Sequence, residues 1–306
     1  METLLTAPAA THQLLQLHSE ASGQVALELL LFDGESPFQA VQRLNRYSLL
    51  WLQAGPAECR VETQAQPVAE HSLLFFTPYQ PFQLLAAGPV RGVALRFAPE
   101  FFCIELHKRE VGCNGVLFNN VFEFPVLPLP EEARPEFAEL LQKLARELGQ
   151  ASLAQEELVF SYLKILLIAA TRLKVAQLAA LPPSTAEPHV LSRLKSLLET
   201  HFREHHQVQY YAERLHLTPK ALGKIVARTY GKSVSQLIQE RLIIEAKREL
   251  YLTPRCVKEI GYALGFEDSA YFSRFFKKAA GVTAEEYRQR VGNVSNLRLP
   301  LSILPD

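Results

Sequence analysis

Tyr211-Ala-Glu-Arg-Leu-His-Leu-Thr-Pro-Lys-Ala-Leu-Gly-Lys-Ile-Val-Ala-Arg-Thr-Tyr-Gly231 is restated about fifty residues later. There it reads Ile260-Gly-Tyr-Ala-Leu-Gly-Phe-Glu-Asp-Ser-Ala-Tyr-Phe-Ser-Arg-Phe-Phe-Lys-Lys-Ala-Ala-Gly281. Leu222 aligns with Phe272, Lys224 with Arg274, Ile225-Val226 with Phe275-Phe276, Arg228 with Lys278 and Ser233 with Thr283. Each copy predicts a short helix, a tight turn and a second helix, apolar inside and basic outside. That layout is a helix-turn-helix, whose second helix lies in the DNA major groove.

The local chemistry marks the helix ends. Thr218 before Pro219 is an N-cap followed by proline at the first helical position. Gly231 can end that helix in the left-handed conformation, and Ser233 can cap the next. Gly265 and Gly281 repeat the stop; Asp268 or Glu267, and then Thr283, repeat the start. In helix 219–230, Leu222, Ile225 and Val226 form the inner stripe, and Lys220, Gly223, Lys224 and Arg228 the outer side. In helix 268–280, Phe272, Phe275 and Phe276 turn inward, and Ser269, Ala270, Ser273, Arg274, Lys277 and Lys278 outward. Val234–Leu252 reads as one long amphipathic helix holding the copies apart, as two helices in successive major grooves, about 34 Å apart, require.

Charge follows the same division. Net charge is zero, but residues 187–292 hold 18 Lys and Arg against 12 Asp and Glu, while residues 1–186 hold 13 against 19. A basic half beside an acidic half suits a chain in which one domain meets phosphates.

Upstream, Ala179-Ala-Leu-Pro-Pro-Ser-Thr-Ala-Glu-Pro188 reads as a linker. The expected division is 1–178, linker 179–188, domain 189–292 and tail 293–306. Two helices are expected before the linker. One covers about 135–148, with Phe137, Leu140, Leu141, Leu144 and Leu148 on one face; the other covers about 155–178 and is apolar nearly all round. Between about 24 and 100, short apolar runs alternate with Gly and Pro, as in Val25–Phe32, Ser48–Leu52, Ser72–Phe76 and Val93–Phe97. They predict an all-β barrel or sandwich.

Gly265 to Arg288 resembles the C-terminal hallmark of AraC/XylS-type transcription regulators. Arg241 and Ala246-Lys-Arg-Glu-Leu250 resemble that family's linker helix, and Ala212, Leu215 and Leu222 its first module. The resemblance implies an α+β multidomain chain: a cupin-like β-barrel with two dimerisation helices, then an all-α domain of seven helices holding two helix-turn-helix modules. It also implies double-stranded DNA as partner, read by Lys220, Gly223 and Lys224, then Ser269, Ala270, Ser273 and Arg274. Arg228 and Lys277 extend this DNA-binding set. A small-molecule effector, a homodimer, RNA polymerase as a further partner, transcriptional activation and a cytoplasmic setting belong to the same expectation. Two positions depart from the family pattern: Gly261 replaces its usual Ala, and Ala284 its usual Pro.

Phe76-Thr-Pro-Tyr-Gln-Pro-Phe82 resembles the Pro-x-Gln-x turn of cupin-like sensor domains. Trp51, His71, Phe75, Tyr79 and Phe82 are the candidate effector-binding residues of the barrel, with core packing as the competing reading. Cupin enzymes hold a metal with a His-x-His pair and further Glu and His ligands. Residues 24–100 contain only His71, so no catalytic residue, metal or cofactor is expected. Cys103, His107 and Cys113 could bind a soft metal or sense oxidants, although buried innocent cysteines are commoner. No C-x-x-C pair, signal peptide or apolar run of about 20 residues occurs, which points to a reducing, soluble setting. The alternatives are a regulator whose N-terminal domain serves only dimerisation or a protein partner, a metal-binding cupin or enzyme, and an RNA-binding module.

Overall fold

The computed structural model describes residues 12–20, 22–62, 64–104, 107, 116–180 and 189–291. The chain forms two compact units, one through Asn120 and from Phe124 to Ala180, the other comprising Val121–Glu123 and the chain after Ala180.

Among the described residues the first unit has nine strands in two sheets. β1 (His12–His18), β2 (Val25–Gly34), β3 (Tyr47–Ala54), β6 (Ser72–Phe76), β8 (Val90–Phe97) and β9 (Val126–Pro128) make a six-stranded antiparallel sheet, ordered β1-β2-β8-β3-β6-β9. β4 (Ala57–Val61), β5 (Gln64–Val68) and β7 (Phe82–Leu85) make a second sheet, ordered β5-β4-β7. Between the sheets, Phe32, Phe38, Leu50, Leu52, Cys59 and Phe76 form the interior core together with Phe82 and Leu84. Phe76 and Phe82 stack there with ring centroids 3.9 Å apart.

The other face of the large sheet is covered by α1 (Arg134–Gly149) and α2 (Gln155–Ala180). α1 buries Phe137, Leu140, Leu141, Leu144 and Leu148, the predicted stripe. α2 buries Val159, Leu163, Leu166, Leu167 and Ala170, and leaves Leu158, Ile165, Val175 and Leu178 exposed.

Strand alternation corrects part of the effector assignment. Successive side chains of a strand point to opposite faces. Leu49 and Trp51 of β3 and Leu73 and Phe75 of β6 therefore belong to the sheet–helix layer, while Leu50, Leu52, Leu74 and Phe76 face the interior. Trp51 and Phe75 do not line the interior; of the five effector candidates, Phe82 belongs to that core. His71 and Tyr79 occupy tight turns with φ of 58° and 61°.

The second unit holds seven helices among the described residues: α3 (His189–His201), α4 (Val208–Arg214), α5 (Pro219–Tyr230), α6 (Val234–Leu252), α7 (Val257–Ala263), α8 (Ser269–Ala280) and α9 (Ala284–Val291). α6 is the axis. It buries Leu237, Ile238, Leu242, Ala246 and Leu250 and is about 28 Å long at roughly 1.5 Å per residue. The short segment Val121–Glu123 completes this unit. The Lys232 ammonium donates to the Val121 carbonyl (3.2 Å) and pairs with Glu240 (2.7 Å). The Phe122 ring lies 5.5 Å from Tyr230, and the Lys195 ammonium lies over both rings.

The linker residues 181–188 and Cys113 fall outside the described residues. Cys103 is buried, and the His107 Nδ1–H donates to the Cys103 carbonyl (2.9 Å). The His107 ring stacks on Phe102. Among the described residues no group of three His, Cys, Asp or Glu could hold a metal, and no helix is long and apolar enough to cross a membrane.

Candidate nucleic-acid interface

The repeat in sequence is a repeat in structure. α5 and α8 each have twelve residues, and their bounds differ by fifty positions at both ends. Thr218 Oγ1 accepts from the Ala221 N–H (3.2 Å); the Asp268 carboxylate accepts from Ala270 (2.9 Å) and Tyr271 (3.2 Å). Gly231 and Gly281 end the helices in the left-handed region, at φ of 64° and 81°. Leu222, Val226 and Tyr230 are buried in α5, and Phe272, Phe276 and Ala280 occupy the same positions in α8.

The turns are built alike but from different residues. α4 and α7 differ by forty-nine positions, so the second turn is one residue longer. In the first, His216 sits at φ 56° and Leu217 N–H donates to Ala212 O (2.9 Å). In the second, Gly265 sits at φ 80° and Phe266 N–H donates to Gly261 O (3.0 Å). Only glycine fits at 265, because a Cβ there would lie 2.0 Å from the Arg203 carbonyl oxygen. Gly261 also has a local reason: its missing Cβ would stand 3.0 Å from the Phe272 ring, so the large phenylalanine and the glycine suit each other. Ala284, the other departure, follows Thr283, whose hydroxyl and N–H exchange hydrogen bonds with Glu286.

On the outer faces, Lys220, Lys224 and Arg228 of α5 are exposed, as are Ala270, Ser273, Arg274 and Lys277 of α8. Helix geometry ranks them. At roughly 100° per residue, taking the outward axis opposite the mean direction of Phe272, Phe276 and Ala280, Arg274 and Lys278 lie about 20° from it. Tyr271 lies about 40° away, Ala270 about 60°, Lys277 about 80° and Ser273 about 120°. Lys224 and Arg228 hold the central places on α5 by the same measure. Ser269 and Gly223 are half-buried, and the Ser273 hydroxyl donates to the Ser269 carbonyl of its own helix (3.0 Å). Tyr271, 58% exposed, was not among the residues singled out in the sequence. Its signal was an aromatic at an outward position.

An ion cluster ties α6 to the C-terminal end of α3 and the residues that follow it. Glu245, almost fully buried, accepts from Arg203, Arg241 and Arg248. Burial pushes its carboxyl up, but the three guanidiniums outweigh burial and hold it below the usual carboxylate range. Arg241 also pairs with Glu199 (2.9 Å) and lies 4.0 Å from the Phe202 ring centroid. The Arg288 side chain donates to the Leu250 carbonyl at the end of α6 (3.1 Å).

Fold and outer face together define a tandem helix-turn-helix DNA-binding domain. Residues 211–290 match the family described as a helix-turn-helix domain. Over this stretch the chain is similar to regulators of the AraC/XylS type. The HTH-type transcriptional activator RhaR of Pectobacterium atrosepticum is 29% identical over 149 residues, which are 47% of this chain and 52% of that protein. The arabinose operon regulatory protein of Salmonella typhimurium is 29% identical over 162 residues, 52% of this chain and 56% of that one. The chain thus spans about half the length of the curated relatives it matches. Among solved structures, ToxT from Vibrio cholerae is 15% identical with a TM-score of 0.39, covering 87% of this chain and 98% of that one. The C-terminal domain of the response regulator yesN from Fusobacterium nucleatum is 25% identical with a TM-score of 0.31, covering 32% and 96%.

Proposed function

We propose that the chain is a sequence-specific transcription regulator whose second unit places α5 and α8 in two successive major grooves. The observation carrying this reading is the fixed register of the two helices, with Lys224 and Arg274 at one angular position and Arg228 and Lys278 at another. Activation is the direction supported by the matched relatives' names, and RNA polymerase is the corresponding partner. A cytoplasmic setting is part of this proposal and agrees with a DNA partner. The test is DNA selection from a random pool, followed by titration against salt. Arg274→Ala is expected to cost about 1–3 kcal/mol on the selected site and to relax preference at one base pair. Lys277→Ala is expected to weaken all sequences alike and reduce the salt slope by about 0.9. An Arg274→Ala protein with unchanged motif and affinity would remove the groove assignment.

We further propose that a small-molecule effector acts through the first unit. Glu28, Arg96 and Ser48 are direct cross-strand neighbours on the interior face. Arg96 pairs with Glu28 (2.8 Å), yet among the described residues its buried Nε and the buried Ser48 hydroxyl make no hydrogen bond. Two orphan polar groups in one row are a cost that a bound polar group would remove. The second reading is an effector-free unit serving dimerisation or a protein partner. It is supported by the stacked Phe76 and Phe82 and by the fully buried Phe38 between the sheets. Ser48→Ala separates them: it should abolish effector-dependent DNA binding on the first reading and leave regulation unchanged on the second. Dimerisation itself is proposed to run along the exposed Leu158, Ile165, Val175 and Leu178 of α2.

A further inference from the structure

We infer that Tyr271 is a specificity-determining residue of the second module, packing its ring against a thymine methyl beside the base read by Arg274. The inference rests on the DNA-reading function proposed above.

Position comes first. Tyr271 lies closer to the outward axis of α8 than Ala270, Lys277 or Ser273 by the helical geometry given above. A helix docked by its basic outer face cannot bring Arg274 to a base edge while keeping Tyr271, three residues away and one turn below, out of the groove. The ring is also an exposed aromatic in an otherwise small or charged surface: 58% of the residue is accessible.

Rigidity comes second. The Asp268 carboxylate fixes the Tyr271 N–H (3.2 Å), and the ring rests 5.9 Å from that of buried Phe266. The Arg274 guanidinium lies 6.0 Å from the Tyr271 ring and 3.8 Å from the Asp268 carboxylate. Asp268, Tyr271 and Arg274 therefore form one braced group. A braced aromatic loses little freedom on binding and presents an apolar face, the complement of the methyl group that only thymine displays in the major groove.

Asymmetry comes third. The equivalent of Tyr271 in α5 is Ala221, which is half-buried. The two modules share the cation pairs Lys224/Arg274 and Arg228/Lys278 but not this ring, so it gives the second half of the site a preference that the first half lacks.

The experiment uses the full chain and its selected duplex. Selection from a random pool gives the motif for wild type, Tyr271→Ala, Tyr271→Phe and Arg274→Ala; fluorescence anisotropy at one fixed salt gives affinities. Tyr271→Ala should lose preference at one A·T pair next to the pair affected by Arg274→Ala, with affinity falling roughly 5- to 100-fold. Tyr271→Phe should keep the preference and stay within about 3-fold. Far-UV circular dichroism checks that the exposed substitutions leave the fold intact. A Tyr271→Ala motif identical to wild type overturns the inference while leaving DNA reading in place. So does equal weakening of every sequence by both variants, which would make the hydroxyl a phosphate contact only. A wild-type chain that enriches no sequence overturns the DNA-reading function and this inference with it.

Discussion

Gly265 offers a test of the second turn, because its surroundings set the size of the effect. Alanine at φ 80° costs about 1 kcal/mol for the left-handed backbone alone. Its Cβ would stand 2.0 Å from the Arg203 carbonyl oxygen, a backbone atom with no rotamer to escape into. Relief requires separating the α3 end from the turn, which strains packing by about 1–3 kcal/mol. It also stretches the bond from His206 Nε2–H to the Leu264 carbonyl (2.8 Å), worth about 1 kcal/mol. The expected loss is about 3–5 kcal/mol. With a urea dependence of about 1–1.5 kcal/mol per molar for a unit of this size, the midpoint should fall by at least about 2 M. The chain supplies its own control, because its single tryptophan, Trp51, lies in the first unit. Helical circular dichroism follows mainly the second unit and tryptophan fluorescence the first. Gly265→Ala should move the former and leave the latter. A dichroism midpoint shifted by less than about 0.5 M would refute the reasoning, as would an equal shift of both signals. His216→Gly, at the equivalent place in the first turn, should be neutral or stabilise by up to about 1 kcal/mol, since glycine relieves φ 56° but adds unfolded-state freedom.

The two units should also respond to pH in opposite senses. Glu245 has a depressed folded pKa, so its contribution is present above the unfolded carboxylate value and is lost as pH falls through the folded one. Acid titration should therefore weaken the dichroism transition, and Glu245→Gln should flatten that dependence. Burial pushes Glu100 in the first unit up to about 7, so the Trp51 transition should weaken as pH rises from the ordinary carboxylate range towards 7. Glu100→Gln should remove that slope. For assembly, residues 1–180 are expected to sediment as a dimer at tens of micromolar, and Ile165→Glu to give a monomer with unchanged tryptophan fluorescence. A wild-type monomer would exclude the α2 seam.

How much of this was legible in the sequence depended on contrast between faces. Leu222, Val226, Phe272 and Phe276 recur against Lys and Arg, so helix length, caps and buried side could all be read. The strands could be located, but their faces could not. β3 from Ser48 to Leu52 and all of β6 are buried on both sides, so no polar alternation distinguished the interior from the helix-covered layer. Interior placement of Trp51 and Phe75 therefore has no polar contrast to support it in the sequence, and strand parity puts both in the helix-covered layer. Ser273 looked outward by residue type, but the buried positions as a set turn it aside and bring Tyr271 forward.

Val121–Glu123 gave no local signal either, and its place has a practical meaning for anyone who cuts or grafts this protein. The half that carries the repeat is not a continuous cassette. A piece taken from the linker onward leaves behind the ring that covers Tyr230 and the carbonyl that receives the Lys232 ammonium. Its newly bare patch would sit at the C-terminal end of the first reading helix, where Tyr230 closes α5. A chimera that keeps α5 as it stands here must bring those three residues along, or supply an aromatic and a carbonyl in their stead.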